Sequence, residues 1–449
     1  MELPATSKTT NVSVVGTGYL GATHAVCMAE LGFQVLGVDT DAGKVARLVA
    51  SEVPFFEPGL EELLRKNIEA GRLSFTTDAA AAAAWGDVHF VCVGTPQRKG
   101  SKAADLTYVD AAVEALAANL KPGSVVVGKS TVPAGTAVRL ATTVTAAGGI
   151  LAWNPEFLRE GFAVEDTLHP DRLVVGLPQG PDGARAEAVL REVYATLLSE
   201  AIPMIVTDFA TAELVKVAAN AFLATKISFI NAMAEICEVT GGDVVQLSAA
   251  LSHDTRIGGR FLNAGLGFGG GCLPKDIRAF AARAEELGAG EAVTFLGEVD
   301  TINQRRRQRV VTLTHELLGG SVTGRRVAVL GGAFKPNSDD IRDSPALWVA
   351  ETLRQAGALV TVYDPAANAN AAIAFPALTY ATSAPAAARE ADAVLHLTEW
   401  HEFREMDPEA LHDIVTQKII IDGRNTLDPS RWRAAGWTYR ALGRPHHAL

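Results

Sequence analysis

Val12-Ser13-Val14-Val15-Gly16-Thr17-Gly18-Tyr19-Leu20-Gly21 decides how the first half of the chain folds. A short β-branched run ends on a glycine, a helical pattern follows as far as Gly32, and a second apolar run, Gln34–Val38, closes on Asp39. Strand, helix, strand in that order is a right-handed parallel unit. The glycines stand where a dinucleotide fingerprint belongs. They permit a tight turn and bring a pyrophosphate against the backbone and the positive end of the helix. Asp39 follows 18 residues after Gly21, close to the spacing of an acid that bonds ribose hydroxyls. A carboxylate there repels a 2′-phosphate, so NAD is expected over NADP. A glycine turn with no cofactor is the plainer alternative, and strand, helix and acid together argue against it.

Working outward, apolar runs recur at 88–93, 124–127 and 173–175, separated by Ala-rich helical stretches such as 111–120. That alternation predicts a parallel sheet covered by helices on both faces, in a first domain over 1–205. From Asp208 to Gly241 no Pro or Gly intervenes, which predicts one long helix. Its polar residues Glu213, Lys216, Asn220, Asn231 and Glu235 share a sector of about 100°. Leu214, Val217, Phe222, Leu223, Phe229 and Ile230 make the remaining faces apolar, so the helix is expected to be packed on several sides with its polar stripe along a cleft or interface. This helix opens a helical middle region, 206–320. In the last region, 321–449, residues 326–330, 345–355 and 358–363 read as strand, helix and strand, closed by Asp364. Trp85-Gly86-Asp87-Val88 is echoed by Glu390-Ala391-Asp392-Ala393. The expected class is α/β: two doubly wound Rossmann-like domains joined by a long central helix and a helical middle domain.

The 449 residues are 48% hydrophobic and 20% charged, which suffices for several cores and excludes an extended disordered chain. A net charge of −11 disfavours binding to nucleic acid or an anionic membrane. The polar start, 1–11, lacks a signal-peptide layout, and the alanine run 79–84 is too short to span a bilayer. Cys27, Cys92, Cys237 and Cys272 are too scattered for a disulfide framework or a structural zinc site. A soluble cytoplasmic protein without a metal centre is expected.

Two segments carry chemistry. Lys216 and Asn220, one helical turn apart, could stabilise an oxyanion on a substrate. Equally, Lys216 could pair with Glu213 beside a satisfied buried Asn. The second segment is Gly265-Leu266-Gly267-Phe268-Gly269-Gly270-Gly271-Cys272-Leu273-Pro274-Lys275-Asp276. Its glycines leave amides bare for an anion nest, and Pro274 opens a helix with Cys272 at the positive end. That position, with Lys275 nearby, favours a nucleophilic thiolate, and Asp276 is an acid within reach. Cys27, Cys92 and Cys237 fall inside predicted helices or strands and are read as packing residues. Arg305, Arg306, Arg307 and Arg309 point in different directions around a helix and are read as a solvated surface.

Taken together these motifs resemble the UDP-glucose/GDP-mannose dehydrogenase family over nearly the whole chain. Val93-Gly94-Thr95-Pro96, Lys129-Ser130-Thr131-Val132-Pro133 and Asn154-Pro155-Glu156-Phe157-Leu158-Arg159-Glu160-Gly161 carry the likeness. So do Phe334-Lys335-Pro336-Asn337 with Asp339, Asp340 and Arg342, and Asp422-Gly423-Arg424-Asn425. The resemblance implies oxidation of a nucleotide-sugar C6 alcohol to a carboxylate with two NAD in turn, in the service of polysaccharide synthesis. UDP-glucose is the implied substrate. GDP-mannose, or a hydroxy acid oxidised in a single step, is the alternative.

Cys272 is then the nucleophile that holds the aldehyde as a thiohemiacetal and later as a thioester, with Lys216 and Asn220 at the oxyanion. Asp276, Thr131 and Glu156 match positions for proton transfer or for ordering water, and which of them is the base stays open. Cofactor positions are Gly16, Gly18, Tyr19, Leu20, Gly21, Asp39, Lys44, Thr95, Thr131, Glu160, Lys275 and Arg342. Substrate positions are Glu156, Phe157, Leu158, Arg159, Glu160, Lys216, Asn220, Phe261, Leu262, Asn263, Ala264, Gly265, Gly269 and Lys335. Phe157, Leu158, Phe261 and Leu262 could equally be core. Arg256 matches a residue that reaches across a dimer interface, so a homodimer is implied.

Overall fold

The computed structural model describes residues 10–445; the polar start therefore lies mostly outside it. The chain forms two compact units that divide between Ala219 and Asn220.

The first unit holds an eight-stranded sheet: β1 (Asn11–Val15), β2 (Gln34–Val38), β3 (Leu73–Thr76), β4 (Val88–Val91), β5 (Val125–Gly128), β6 (Ile150–Trp153), β7 (Leu173–Gly176) and β8 (Met204–Thr207). Their order is β3-β2-β1-β4-β5-β6-β7-β8. The order reverses beside β1, which creates the switch point where such sheets take ligands. The sheet is not wholly parallel. β7 meets β6 antiparallel through the single pair Trp153–Gly176, and β8 follows β7 in parallel. Buried runs such as Val-Val-Val carry no mark of strand direction, so this reversal was hidden in the pattern. β4 also stops at Val91, which leaves Cys92 just beyond the strand although its N–H still donates to Val15 O.

The second unit holds β9 (Arg326–Leu330), β10 (Leu359–Tyr363), β11 (Thr379–Tyr380), β12 (Ala393–His396), β13 (Ile419–Asp422) and β14 (Thr438–Ala441), in the order β11-β10-β9-β12-β13-β14. The echo around Asp87 and Asp392 has a structural cause. Asp87 Oδ2 accepts from Asn11 N–H at 3.0 Å, and Asp392 Oδ2 accepts from Arg326 N–H at 2.9 Å. In each sheet the acid ties the start of one central strand to that of its neighbour.

The long helix runs Phe209–Thr240, from the first unit into the second. By length and composition it could cross a membrane. Yet Glu213, Lys216, Asn220, Ser228 and Asn231 are its buried polar residues, while Leu214, Phe222, Phe229, Ile236 and Val239 are exposed. The expectation of packing on several sides is thus corrected. Val217 and Ile230 are buried, but a whole apolar face looks outward.

The arginine cluster also needs correction. Arg306 and Arg307, on the helix Phe295–Leu317, are buried. Arg306 pairs with Glu238 at 2.9 Å, and Arg307 pairs with Asp343 at 2.7 Å while donating to Phe268 O. Their carboxylates come from other segments, which charge spacing along one helix does not reveal. Arg305 remains half exposed, and Arg309 pairs with Glu238 and Glu316.

Candidate active site

In the first unit the three fingerprint glycines play three different parts. Gly16 has φ +88° and donates to Val38 O; a Cβ there would lie 2.7 Å from Val93. At Gly21 a Cβ would lie 1.7 Å from Gly16 O, so the helix Tyr19–Glu30 packs directly on the turn. A Cβ on Gly18 would meet nothing within 4 Å. One glycine shapes the turn, one permits close packing, and one faces open space at a helix start without acidic residues in its first turn. This arrangement fits a dinucleotide pyrophosphate.

Asp39 Oδ2 accepts from Thr17 N–H at 2.8 Å, from Thr17 Oγ1 at 3.1 Å and from Lys44 Nζ at 2.8 Å; Oδ1 accepts from Asp41 N–H. Burial opposes its charge, but Lys44 and the backbone donors outweigh it and hold the carboxyl below its usual value. Leu20 packs against the core beneath the turn. Thr95 Oγ1 donates to Thr131 O at 2.8 Å, which joins two of the sequence motifs, and Glu160 is buried.

A buried network underlies the segment 154–160. Lys129 Nζ lies 2.9 Å from Glu156 Oε2 and donates to Asn154 Oδ1, which also accepts from Tyr194 OH. Glu156 Oε1 accepts from the N–H groups of Phe157 and Leu158. Burial works against both charges, yet the pair prevails: Glu156 is held below the usual carboxyl range and Lys129 above the usual ammonium one. Phe157 lies under two cations, with Arg172 Cζ 4.1 Å and Lys216 Nζ 5.3 Å from the ring centroid. Leu158 is half-buried, and Arg159 is exposed and paired with Asp166 at 2.6 Å.

The alternative pairing of Lys216 is not what forms. Glu213 instead accepts from the N–H groups of Gly135 and Ala137 at 2.7 and 2.6 Å, at the start of the helix Thr136–Ala146. Lys216 is buried, and among the described residues no carboxylate lies within 4 Å of it. A buried cation without a counter-ion is costly unless a ligand completes it.

In the second unit Cys272 is exposed and stands at the N-cap of the helix Leu273–Glu286. Asp276, buried in the first turn of that helix, accepts from Asn220 Nδ2 at 2.6 Å and from Lys275 Nζ at 2.5 Å. The lysine expected to act on the thiol is therefore engaged by the neighbouring acid. Cys27, Cys92 and Cys237 are buried, and desolvation pushes the Cys92 thiol up to about 12.

Part of the glycine loop's backbone is tied down by hydrogen bonds. Gly265 N–H donates to Asn231 Oδ1, Leu266 N–H to Gly423 O, Phe268 N–H to Asn303 Oδ1 and Gly270 N–H to Arg342 O. The glycines also serve close approach. A Cβ would lie 2.6 Å from Gly423 O at Gly265, 2.3 Å from Asn303 at Gly267, 2.3 Å from Asp343 O at Gly269 and 2.3 Å from Arg342 at Gly271. Arg424 binds the loop to its surroundings, donating to Gly267 O, Phe334 O and Leu397 O.

Leu262 and Ala264 belong to a core cluster with Ile230 and Val244; Phe261 adopts φ +66°, and Asn263 is exposed. Lys335 Nζ sits 5.3 Å from the Phe334 ring centroid. Arg342 is exposed and paired with Asp340, and Arg256 is exposed and paired with Asp254. Four residues escaped the sequence reading of the site: Glu57, Lys129, Asn303 and Arg424. Lys129 and Arg424 do lie inside quoted motifs, but no spacing links Glu57 or Asn303 to its partners.

Family profiles match in sequence along the chain. The NAD binding domain of the UDP-glucose/GDP-mannose dehydrogenase family covers residues 10–198, its central domain 210–305 and its UDP binding domain 328–429. A UDP-glucose 6-dehydrogenase of Rhizobium meliloti is 42% identical, over 97% of this chain and 99% of that protein. One from Bacillus subtilis is 41% identical, over 97% and 93%. A solved UDP-glucose dehydrogenase from the archaeon Pyrobaculum islandicum superposes with TM-score 0.89 at 38% identity, covering 99% of this chain and all of that one.

Proposed function

The chain belongs to the UDP-glucose/GDP-mannose dehydrogenase family, and we propose that it oxidises UDP-glucose to UDP-glucuronate through a covalent adduct on Cys272. The observation that carries this reading is the exposed thiol at a helix N-cap, next to a glycine loop held by four backbone N–H bonds, while the other cysteines are buried. NAD, when bound, takes a hydride from the sugar carbon in each of two oxidations.

The chain's own groups do the rest. Cys272 thiolate adds to the C6 aldehyde, forming the C–S bond of a thiohemiacetal and an oxyanion. Lys216, which has no carboxylate partner among the described residues, and Asn220 stabilise that oxyanion. Once the adduct has become a thioester, water adds at its carbonyl carbon, the C–S bond breaks and the thiolate is restored. Asp276, Thr131 and Glu156 move protons or order the water; Glu156 enters this work ionised. Capture on sulfur keeps the aldehyde from escaping between the oxidations.

Gly16, Gly18, Tyr19, Leu20, Gly21, Asp39, Lys44, Thr95, Thr131, Glu160, Lys275 and Arg342 are proposed to hold the cofactor. The segments 156–160 and 261–265, with Gly269 and Lys335, are proposed to recognise the nucleotide sugar. The working regions are 1–205, 206–320 and 321–449. The outward apolar face of the helix Phe209–Thr240 supports a homodimer, with Arg256 serving the partner's site. Net charge −11 supports a protein that binds neither nucleic acid nor an anionic membrane, and its proposed setting is the cytoplasm.

Turnover of UDP-glucose should yield about two NADH per sugar without free aldehyde. Cys272→Ser should still bind NAD and UDP-glucose but lose net turnover, because its hydroxyl stays protonated at neutral pH. Lys216→Ala should cost about 10²–10³ in rate while leaving Cys272 open to alkylation. Near-normal uronate production by Cys272→Ser would overturn the covalent route. Preference for GDP-mannose in a panel of nucleotide sugars would overturn the substrate.

A further inference from the structure

Glu57 stands outside every motif used so far, and it is buried. Its Oε2 accepts from Gly161 N–H at 2.7 Å and from the Tyr19 hydroxyl, and its Oε1 accepts from Ala163 N–H at 2.7 Å. Gly161 N–H also donates to Tyr19 OH at 2.9 Å. All three donors are neutral, so the carboxylate replaces its hydration shell with hydrogen bonds alone. Phe55, two residues earlier, packs on the Tyr19 ring with centroids 4.7 Å apart. Residues 55–57 thus grip Tyr19 at its face and at its hydroxyl.

The two ends of this web are distinct parts of the first unit. Tyr19 begins the helix that follows the glycine turn, directly after the open Gly18. Gly161 closes the motif that begins at Asn154, directly after Glu160, and Ala163 starts the helix that follows. We propose that Glu57 is a positioning residue for the dinucleotide, fastening the Tyr19 end of the glycine turn to the Gly161–Ala163 backbone so that the turn and Glu160 are held as one surface. The proposal rests on the reading that the glycine turn binds NAD. A carboxylate is needed because the backbone presents two N–H groups at once, and an amide side chain would turn an NH₂ toward one of them.

The test is NAD binding by calorimetry on the full chain without sugar, alongside thermal unfolding. Glu57→Gln should weaken NAD binding about tenfold or more, the equivalent of one lost charged hydrogen bond. Tyr19→Phe, which removes the hydroxyl and leaves both backbone bonds, should weaken it similarly. Because one link carries both effects, the double variant should bind within roughly threefold of Glu57→Gln alone. A lower melting temperature with unchanged NAD affinity in both variants would make Glu57 purely structural and overturn the proposal. Effects that multiply in the double variant would overturn it as well. Should Glu57→Gln fail to fold, Glu57→Asp, which keeps the charge but shortens the reach to the Gly161 and Ala163 N–H groups, takes its place, and wild-type NAD affinity in that variant overturns the proposal. Wild-type protein that binds no NAD would instead refute the cofactor reading itself.

Discussion

The first six strands of the N-terminal sheet and the six of the C-terminal sheet follow one order, and each sheet puts an aspartate directly after its second strand, Asp39 after β2 and Asp364 after β10. Both acids reach back to the turn beyond the first strand. Asp39 accepts from Thr17 N–H, and Asp364 Oδ2 accepts from the N–H groups of Gly332 and Ala333 at 2.8 and 2.9 Å. From there the two diverge. Asp364 is closed by Trp400 Nε1 and by the N–H groups of Ala366 and Ala367, whereas Asp39 is met by the partly exposed Lys44. The turn after β1 enters its helix at Tyr19, directly past Gly18, but residues 331–344 separate β9 from the helix Pro345–Gln355. An acid at this position closes the turn in either sheet. Where the turn is short and the acid has the outward neighbour Lys44, we propose that it also serves a ribose.

The largest expected effect lies at the short turn. Gly21→Ala must push the helix off Gly16 O, at a cost of about 1–3 kcal/mol of stability, and should abolish NAD binding in a fluorescence titration. Gly18→Ala has room and should leave the melting temperature unchanged while weakening NAD binding. Wild-type affinity in Gly18→Ala would mean that the open space is not where the pyrophosphate approaches, and the contrast between the turns would collapse.

A middle-sized effect should separate the aspartates. Asp364→Asn disturbs a carboxylate saturated by backbone and indole donors and should cost about 1–3 kcal/mol in urea unfolding, with NAD affinity untouched. Asp39→Asn should cost less stability but raise the NADP-to-NAD ratio of kcat/KM about tenfold, since Lys44 then faces a 2′-phosphate without its carboxylate. An unchanged ratio would sever Asp39 from the ribose.

The smallest effect is a slope. Glu156 in the first sheet's unit and Asp422 in the second's are both held below the usual carboxyl value against the opposition of burial, by Lys129 and by His396 respectively. A depressed folded-state value stabilises above the unfolded value, near pH 4, and that contribution is lost as pH falls through the folded one. Stability measured by urea from about pH 6 to 3 should therefore fall with acid, and Asp422→Asn should make the fall shallower. An undiminished slope would remove Asp422 from the balance.

The parts of this fold written in local pattern were open to reading. Glycine spacing, the apolar runs and the echo of Asp87 in Asp392 foretold both sheets, because each depends on neighbours along the chain. Direction of β7 was not, since a buried apolar run looks alike either way. Arg306 and Arg307 were misjudged because Glu238 and Asp343 approach from other segments. Glu57 was invisible for the same reason: its partners stand at 19, 161 and 163. A charged residue before Pro58-Gly59 was the one local hint, and it names no partner.

The crowded glycine loop has a consequence for how this protein can change. Where an added methyl would strike the backbone oxygens of Gly423 and Asp343, at Gly265 and Gly269, nearly every single substitution is shut out before chemistry is at issue. Natural drift and laboratory selection alike are thereby steered to the flanks, toward the exposed Asn263 on one side and the half-buried Lys335 on another. A library aimed at new sugar specificity should leave Gly265 and Gly269 untouched and spend its diversity there.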